Sequence, residues 1–160
     1  MRIFHFAFLF SLIYSQYNSA EWGSITSLLT PTGIQVTVGG KVYASTAGGL
    51  LEFNPDTEEF NFIKMEQGLK YLDLASIAID SHGRLWLGSA SPRGCLQVYD
   101  PGTGLKYYEE WMDSFGNIRI DNISTIQIGE DRAFAVYEGV TSSDIGILEF
   151  RLDSDNGLPI

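Results

Sequence analysis

Cysteine is almost absent: Cys95 stands alone, so no disulfide can form within the chain. Histidine is nearly as scarce, with only His5 and His82, and a nucleophile needs a base beside it. Cys95 opens the apolar run Cys95-Leu96-Gln97-Val98-Tyr99 and reads as a small buried hydrophobe rather than a reactive thiol. His82 precedes Gly83 and reads as a solvated turn residue. The sequence also lacks Gly-x-Ser-x-Gly, His-Glu-x-x-His and Cys-x-x-Cys motifs and any phosphate-cradling glycine loop followed by lysine. Glu58-Glu59 and Glu109-Glu110 are adjacent pairs, which in a strand point to opposite faces and cannot flank one bond. Asp153-Ser-Asp-Asn-Gly157 opens like a calcium loop, but the fifth position is Gly157 and no acidic twelfth position follows, so it reads as a turn. No catalytic, cofactor-binding or metal-ligating residue is expected.

Positive charge is also in short supply, at 10 Lys+Arg against 20 Asp+Glu. Such a surface repels phosphate backbones, which excludes nucleic acid as the expected partner. From residue 21 onward no dozen-residue run carries helical apolar spacing free of glycine and turn clusters, so a helical fold is excluded too.

One apolar run stands out. Ile3 to Tyr14 follows Arg2 and gives way to a polar, small-residue exit from Ser15 to Ala20. That order is expected of a secretory signal peptide over 1–20, too short to span a bilayer comfortably; a buried N-terminal strand or helix is the plainer alternative. Cleavage after Ala20 leaves 9 Lys+Arg against 20 Asp+Glu, a net charge of −11. Cleavage after Ser15 is the other choice, because Asn18 is a poor partner for Ala20.

What fills residues 21–160 is repetition. Ile77-Ala-Ile-Asp-Ser-His-Gly-Arg-Leu-Trp-Leu-Gly-Ser89 reads as strand, turn, strand, and degraded copies flank it around Val36 to Thr46 and Ile126 to Val136. Their aromatic positions, Tyr43, Trp86 and Phe134, are 43 and 48 residues apart. A second hairpin arm recurs with Phe53, Tyr99 and Phe150, at steps of 46 and 51. Asn54-Pro-Asp-Thr57 and Asp100-Pro-Gly-Thr-Gly104 supply turns after it. Strand-and-turn units at that period predict an all-β fold of β-propeller blades, about three four-stranded antiparallel sheets in an incomplete propeller. The expected divisions are 25–70, 71–122 and a shortened 123–160. Tyr43, Trp86 and Phe134 are expected in the core, packing one sheet on the next.

The middle copy, Ile79-Asp-Ser-His-Gly-Arg-Leu-Trp-Leu-Gly-Ser89 continuing to Gly94-Cys-Leu-Gln-Val-Tyr-Asp100, resembles the two-component regulator propeller repeat. That pattern runs Asp-x-x-Gly, apolar-Trp-apolar-Gly-Thr, then Gly-Leu-x-x-Tyr-Asp. Residues 34–57 follow it with Gly39-Gly40 and Gly49-Leu-Leu-Glu-Phe53. The third copy keeps Gly146-Ile-Leu-Glu-Phe150 but has Glu130-Asp131-Arg132 at the turn and Val136-Tyr137 in place of Gly-Thr.

The resemblance implies a secreted, periplasmic or cell-surface bacterial β-propeller. Relatives of that kind form sensor halves of hybrid two-component receptors, commonly linked to polysaccharide sensing, or surface proteins of type IX secretion. It supplies no catalytic residues. The function expected is a non-catalytic binding or sensing module, with an unidentified ligand or protein partner, polysaccharide-derived in the receptor setting. Blade loops would carry contacts, with Arg93 in Ser89–Gly94, Asp144 in Glu138–Asp144, and Trp111 outside the repeat register as candidates. A streptogramin-lyase-like propeller, with its active site in further blades, is the enzymatic alternative. Propellers need at least about four blades, so the 160 residues are expected to be the N-terminal part of a longer protein.

Overall fold

Val, Ile, Leu and aromatic residues at alternate positions, broken by Asp/Asn-Pro and Gly clusters, fold here as antiparallel hairpins. A computed structural model describes residues 30–111, 119–141 and 143–160. The expected signal peptide lies outside the described residues.

The first sheet is a meander of β1 (Pro31–Val36), β2 (Val42–Thr46), β3 (Gly49–Asn54) and β4 (Glu59–Ile63). A single 3-10 turn, Met65–Gln67, leads to the second meander. This contains β5 (Asp73–Ile79), β6 (Leu85–Ser91), β7 (Cys95–Asp100) and β8 (Gly104–Glu110). The third has β9 (Ile120–Ile128), β10 (Arg132–Gly139) and β11 (Ile145–Arg151). The architecture is that of stacked propeller blades, all-β, with three strands described in the last sheet. β9 starts at Ile120, so the expected division between 122 and 123 falls inside a strand.

The predicted turns form by the predicted chemistry. Asp80 accepts the Gly83 amide at its carbonyl, and Gly83 takes φ 77°, where a side chain would be strained. Asn54 and Asp100 each accept an amide two residues on, from Asp56 at 3.1 Å and Gly102 at 2.8 Å. Asp153 likewise accepts from Asp155 and Asn156, so residues 153–157 are a turn.

Two apolar clusters hold the sheets together. Tyr43, Leu50 and Ile63 of the first sheet meet Ile77, Leu85, Leu87 and Tyr99 of the second. On its other face, Ala78, Trp86, Leu96 and Val98 meet Ile123, Ala133, Ala135, Tyr137 and Phe150 of the third. Covered on both sides, the middle sheet buries consecutive residues of β6 and β7 instead of alternating ones. Trp86 is fully buried, which in transfer terms stabilises the fold by about 2–3 kcal/mol. At Gly88 the blades come so close that a Cβ would stand 2.3 Å from the Ser76 hydroxyl and 2.4 Å from the Ile123 carbonyl. Those two groups hydrogen-bond at 2.7 Å across the joint.

Phe134 departs from its expected place in the core. It is 41% exposed. Its register is the predicted one, opposite Gln127 and Glu149 as Tyr43 is opposite Gln35 and Glu52. Tyr43 lies on the face that meets the second sheet, whereas no described sheet covers the face that carries Phe134.

Candidate functional site

An antiparallel meander sends its second connection and its exit to the same end. The β2–β3, β6–β7 and β10–β11 loops therefore share one rim with the segments that join the sheets. On this rim Glu110, the last residue of β8, gathers three side chains. Lys70 Nζ lies 3.7 Å from its Oε1 and Arg93 Nη1 lies 3.9 Å from its Oε2. The Tyr71 hydroxyl bonds to it, and burial together with that bond raises the hydroxyl above its ordinary pKa. The Lys70 ammonium also stands 4.6 Å over the Tyr108 ring, a cation–π contact.

Gln97 holds this arrangement in place. Its fully buried amide on β7 accepts the Lys70 N–H at 2.8 Å and donates to the Tyr71 carbonyl at 3.0 Å and the Ser89 hydroxyl at 3.3 Å. The linker carrying Lys70 and Tyr71 is thereby fixed to the second sheet. The cations themselves are not. Their side chains remain 38% and 39% exposed, beyond hydrogen-bond distance from the carboxylate, and such ion pairs contribute only about 0–1 kcal/mol. A ligand bringing its own oxygens would meet an ammonium and a guanidinium that are held at low cost.

The structure brings one of the three sequence candidates to this cluster and leaves the other two outside it. Arg93 pairs with Glu110. Trp111 follows Glu110 in the chain, but it is half-buried against Phe150 of β11, with ring centroids 6.0 Å apart, and packs the second sheet on the third. Asp144 is exposed in the β10–β11 loop; its carbonyl accepts the Gly139 N–H and its own N–H donates to Thr141. The loops are shorter than the sequence indicates. β6 runs on to Ser91, so the β6–β7 loop is residues 92–94, and Gly94 sits against blade three, where a Cβ would meet Ile120 at 2.4 Å. Sequence reasoning missed Lys70, Tyr71, Gln97 and Glu110. The one available signal was the Tyr107-Tyr108-Glu-Glu110 run, which alternates two partly polar faces at a strand end.

The opposite rim is built of hairpin turns. A cleft of about 550 Å³ opens there between the first two sheets, lined by Val36, Tyr43, Ile79, His82 and Pro101 among others. Its polar groups are committed to the fold. Asp80 Oδ1 accepts the His82 and Arg84 amides, and its Oδ2 accepts Arg84 Nε at 2.7 Å and the Trp86 indole at 3.1 Å. Arg84 then donates to the Asn156 and Gly157 carbonyls at 2.7 and 3.1 Å. His82, which the lyase alternative would need, is exposed in its turn on this rim, away from Glu110. Burial pushes the Cys95 thiol up to about 12, so it is not a nucleophile near neutrality. Among the described residues no group of three or more His, Cys, Asp or Glu could hold a metal, and no helix is long and apolar enough to cross a membrane.

The class the coordinates define is a run of β-propeller blades with a charged and aromatic rim. No family model matches the chain, and no curated relative matches it. Among solved structures it is similar to the extracellular domain of a protein assigned as a hybrid two component system from B. thetaiotaomicron. The TM-score is 0.55 at 17% identity, covering 73% of this chain and 17% of that one. It is equally similar to the extracellular domain of a protein assigned as a one component system from the same organism. There the TM-score is 0.55 at 12% identity, covering 81% of this chain and 16% of that one. At these identities the likeness is one of fold. The chain spans about a sixth of the length of the structures it matches.

Proposed function

We propose that this chain is a non-catalytic, exported sensing module that takes its ligand on the rim bearing Lys70, Tyr71, Arg93, Tyr108 and Glu110. The observation that carries the reading is the convergence of two partly exposed cations and one tyrosine on one carboxylate, with a second tyrosine ring under the Lys70 ammonium, at the end of the sheets where loops and linkers gather. Such a surface suits an oxygen-rich, acidic ligand: cations meet carboxylates and tyrosine faces cover sugar rings. A polysaccharide-derived oligomer has that chemistry. The fold shared with extracellular sensor domains supports the setting, as does the apolar leader over 1–20.

Isothermal titration of the wild-type chain with oligogalacturonate, and separately with a neutral xylo-oligosaccharide, tests the reading. The acidic oligomer is expected to bind, and Arg93→Ala and Lys70→Ala are each expected to weaken it by about tenfold, the value of one charge-assisted hydrogen bond. Binding that survives both substitutions unchanged, or no heat with either oligomer, counts against the rim as a saccharide site.

A further inference from the structure

We propose that Glu110 is the residue that sets which anion the loop rim accepts: it weakens dianions more than single carboxylates, and so tilts the rim toward carboxylated sugars and away from sulfate or phosphate esters. This rests on the reading of the rim as the ligand site and assigns the choice of ligand to one residue of it.

Depth is the first observation. The Glu110 side chain is 17% exposed, against 38% for Lys70 and 39% for Arg93. The carboxylate therefore lies deeper than the two cations, and an arriving anion meets the cations first. Glu110 is also held where it is. It ends β8 opposite Cys95 of β7, and it takes the Tyr71 hydroxyl as a hydrogen bond. Tyr71 is anchored in turn, because its carbonyl accepts the Gln97 amide at 3.0 Å.

The cations are attracted to Glu110 without being bonded to it. Lys70 faces its Oε1 from 3.7 Å and Arg93 its Oε2 from 3.9 Å, both beyond hydrogen-bond distance. Both can turn outward to a ligand, while the carboxylate stays beneath them. The neighbouring Glu109 has a different partner: adjacent strand residues point to opposite faces, and its carboxylate takes the Tyr107 hydroxyl.

A fixed negative charge under the binding cations acts on a ligand in proportion to the ligand's own charge. At about 5 Å, and an effective dielectric between those of a protein surface and water, one like charge weakens a monoanion about tenfold; the logarithm doubles for a dianion, to about a hundredfold. The two cations without Glu110 would take sulfate strongly. With it, the advantage of a second negative charge shrinks about tenfold, and a ligand that adds a sugar ring over the Tyr108 face gains in comparison.

Calorimetric titration at constant ionic strength tests the proposal with three probes: a neutral xylo-oligosaccharide, the same oligomer bearing one glucuronate, and inorganic sulfate. Glu110→Gln keeps the side-chain shape and an oxygen for the Tyr71 hydroxyl. It is expected to tighten the glucuronate-bearing oligomer about tenfold and sulfate about a hundredfold, and to leave the neutral oligomer unchanged. Glu130→Gln removes the same formal charge from the exposed β9–β10 turn on the opposite rim and is expected to change none of the three by more than about twofold. If Glu110→Gln does not fold, Glu110→Ser carries the test. Gains that are equal for oligomer and sulfate, absent, or matched by Glu130→Gln overturn the proposal, as does weaker binding, which would make Glu110 a direct acceptor of ligand hydroxyls. A sulfate gain with no binding of the glucuronate-bearing oligomer by either protein supports the role of Glu110 and overturns the saccharide reading alone.

Discussion

Replacing Arg84 with methionine tests the reading of the turn rim as structural. Arg84 and Asp80 form an ion pair with side chains only 8% and 4% exposed, and the guanidinium reaches across to two carbonyls of the segment after β11. Removing one member of a buried pair leaves an uncompensated charge and costs about 3–5 kcal/mol. Here Asp80 keeps three donors, the His82 and Arg84 amides and the Trp86 indole, so the loss belongs at the lower end, about 3 kcal/mol. Methionine retains the side-chain volume, which keeps a cavity out of the comparison. For a domain stabilised by about 5–15 kcal/mol that is a large fraction. Urea unfolding followed by far-ultraviolet circular dichroism measures it. Adding Asp80→Asn to Arg84→Met removes the stranded charge and is expected to recover part of the loss, giving a coupling energy of about 1–3 kcal/mol. A loss below about 1 kcal/mol for Arg84→Met, or no coupling, would refute the claim that this pair joins the second sheet to the third.

Two further outcomes follow from the core. Gly88→Ala puts a methyl 2.3 Å from the Ser76 hydroxyl and 2.4 Å from the Ile123 carbonyl, and since backbone cannot yield there, it is expected to destabilise by about 2–3 kcal/mol in the same urea assay. Alkaline titration is expected to lower the thermal midpoint from about pH 9 upward, because burial holds the Cys95 thiol at about 12 and raises Tyr43, Tyr71, Tyr99 and Tyr107 above their ordinary values. Groups whose folded pKa is raised contribute stability that is complete below the unfolded value and is lost between the two. A midpoint that stays flat from pH 9 to the onset of general base unfolding contradicts this, as would alkylation of Cys95 by iodoacetamide in the folded chain near neutrality.

The fold was legible because its signals are local. An aspartate followed by glycine three residues later, flanked by alternating apolar residues, makes a hairpin with little help from elsewhere, and the same is true of the Asn-Pro-Asp and Asp-Pro-Gly turns. Phe134 was misplaced for a reason that the repeat cannot express: equivalent register guarantees the face a residue lies on, not that a neighbour covers it. Asp80 was read as a turn residue, and it is one. Its second oxygen, which holds Arg84 and Trp86, is a matter of side-chain reach that spacing alone leaves open. The rim cluster was only partly legible. Arg93 could be found because it interrupts a repeat, whereas Lys70 and Glu110 are 40 residues apart and meet only because β8 ends beside the linker that enters its own sheet.

The proposed division between a structural rim and a recognition rim rests on hydrogen-bond geometry. On the turn rim the Asp80–Arg84 pair is buried and bonded at 2.7–3.1 Å, with Asp80 taking four donors and Arg84 giving to two carbonyls. Groups so committed would have to break the fold to bind anything. On the loop rim the backbone is what is fixed, through the buried Gln97 amide, while the two cations stand 3.7 and 3.9 Å from Glu110 with side chains more than a third exposed. Those ends can exchange Glu110 for a ligand oxygen at small cost, because an exposed ion pair is worth so little. A rigid scaffold under loosely paired charges is the arrangement binding requires, which is why recognition is proposed on the loop rim although the cleft of about 550 Å³ lies on the other.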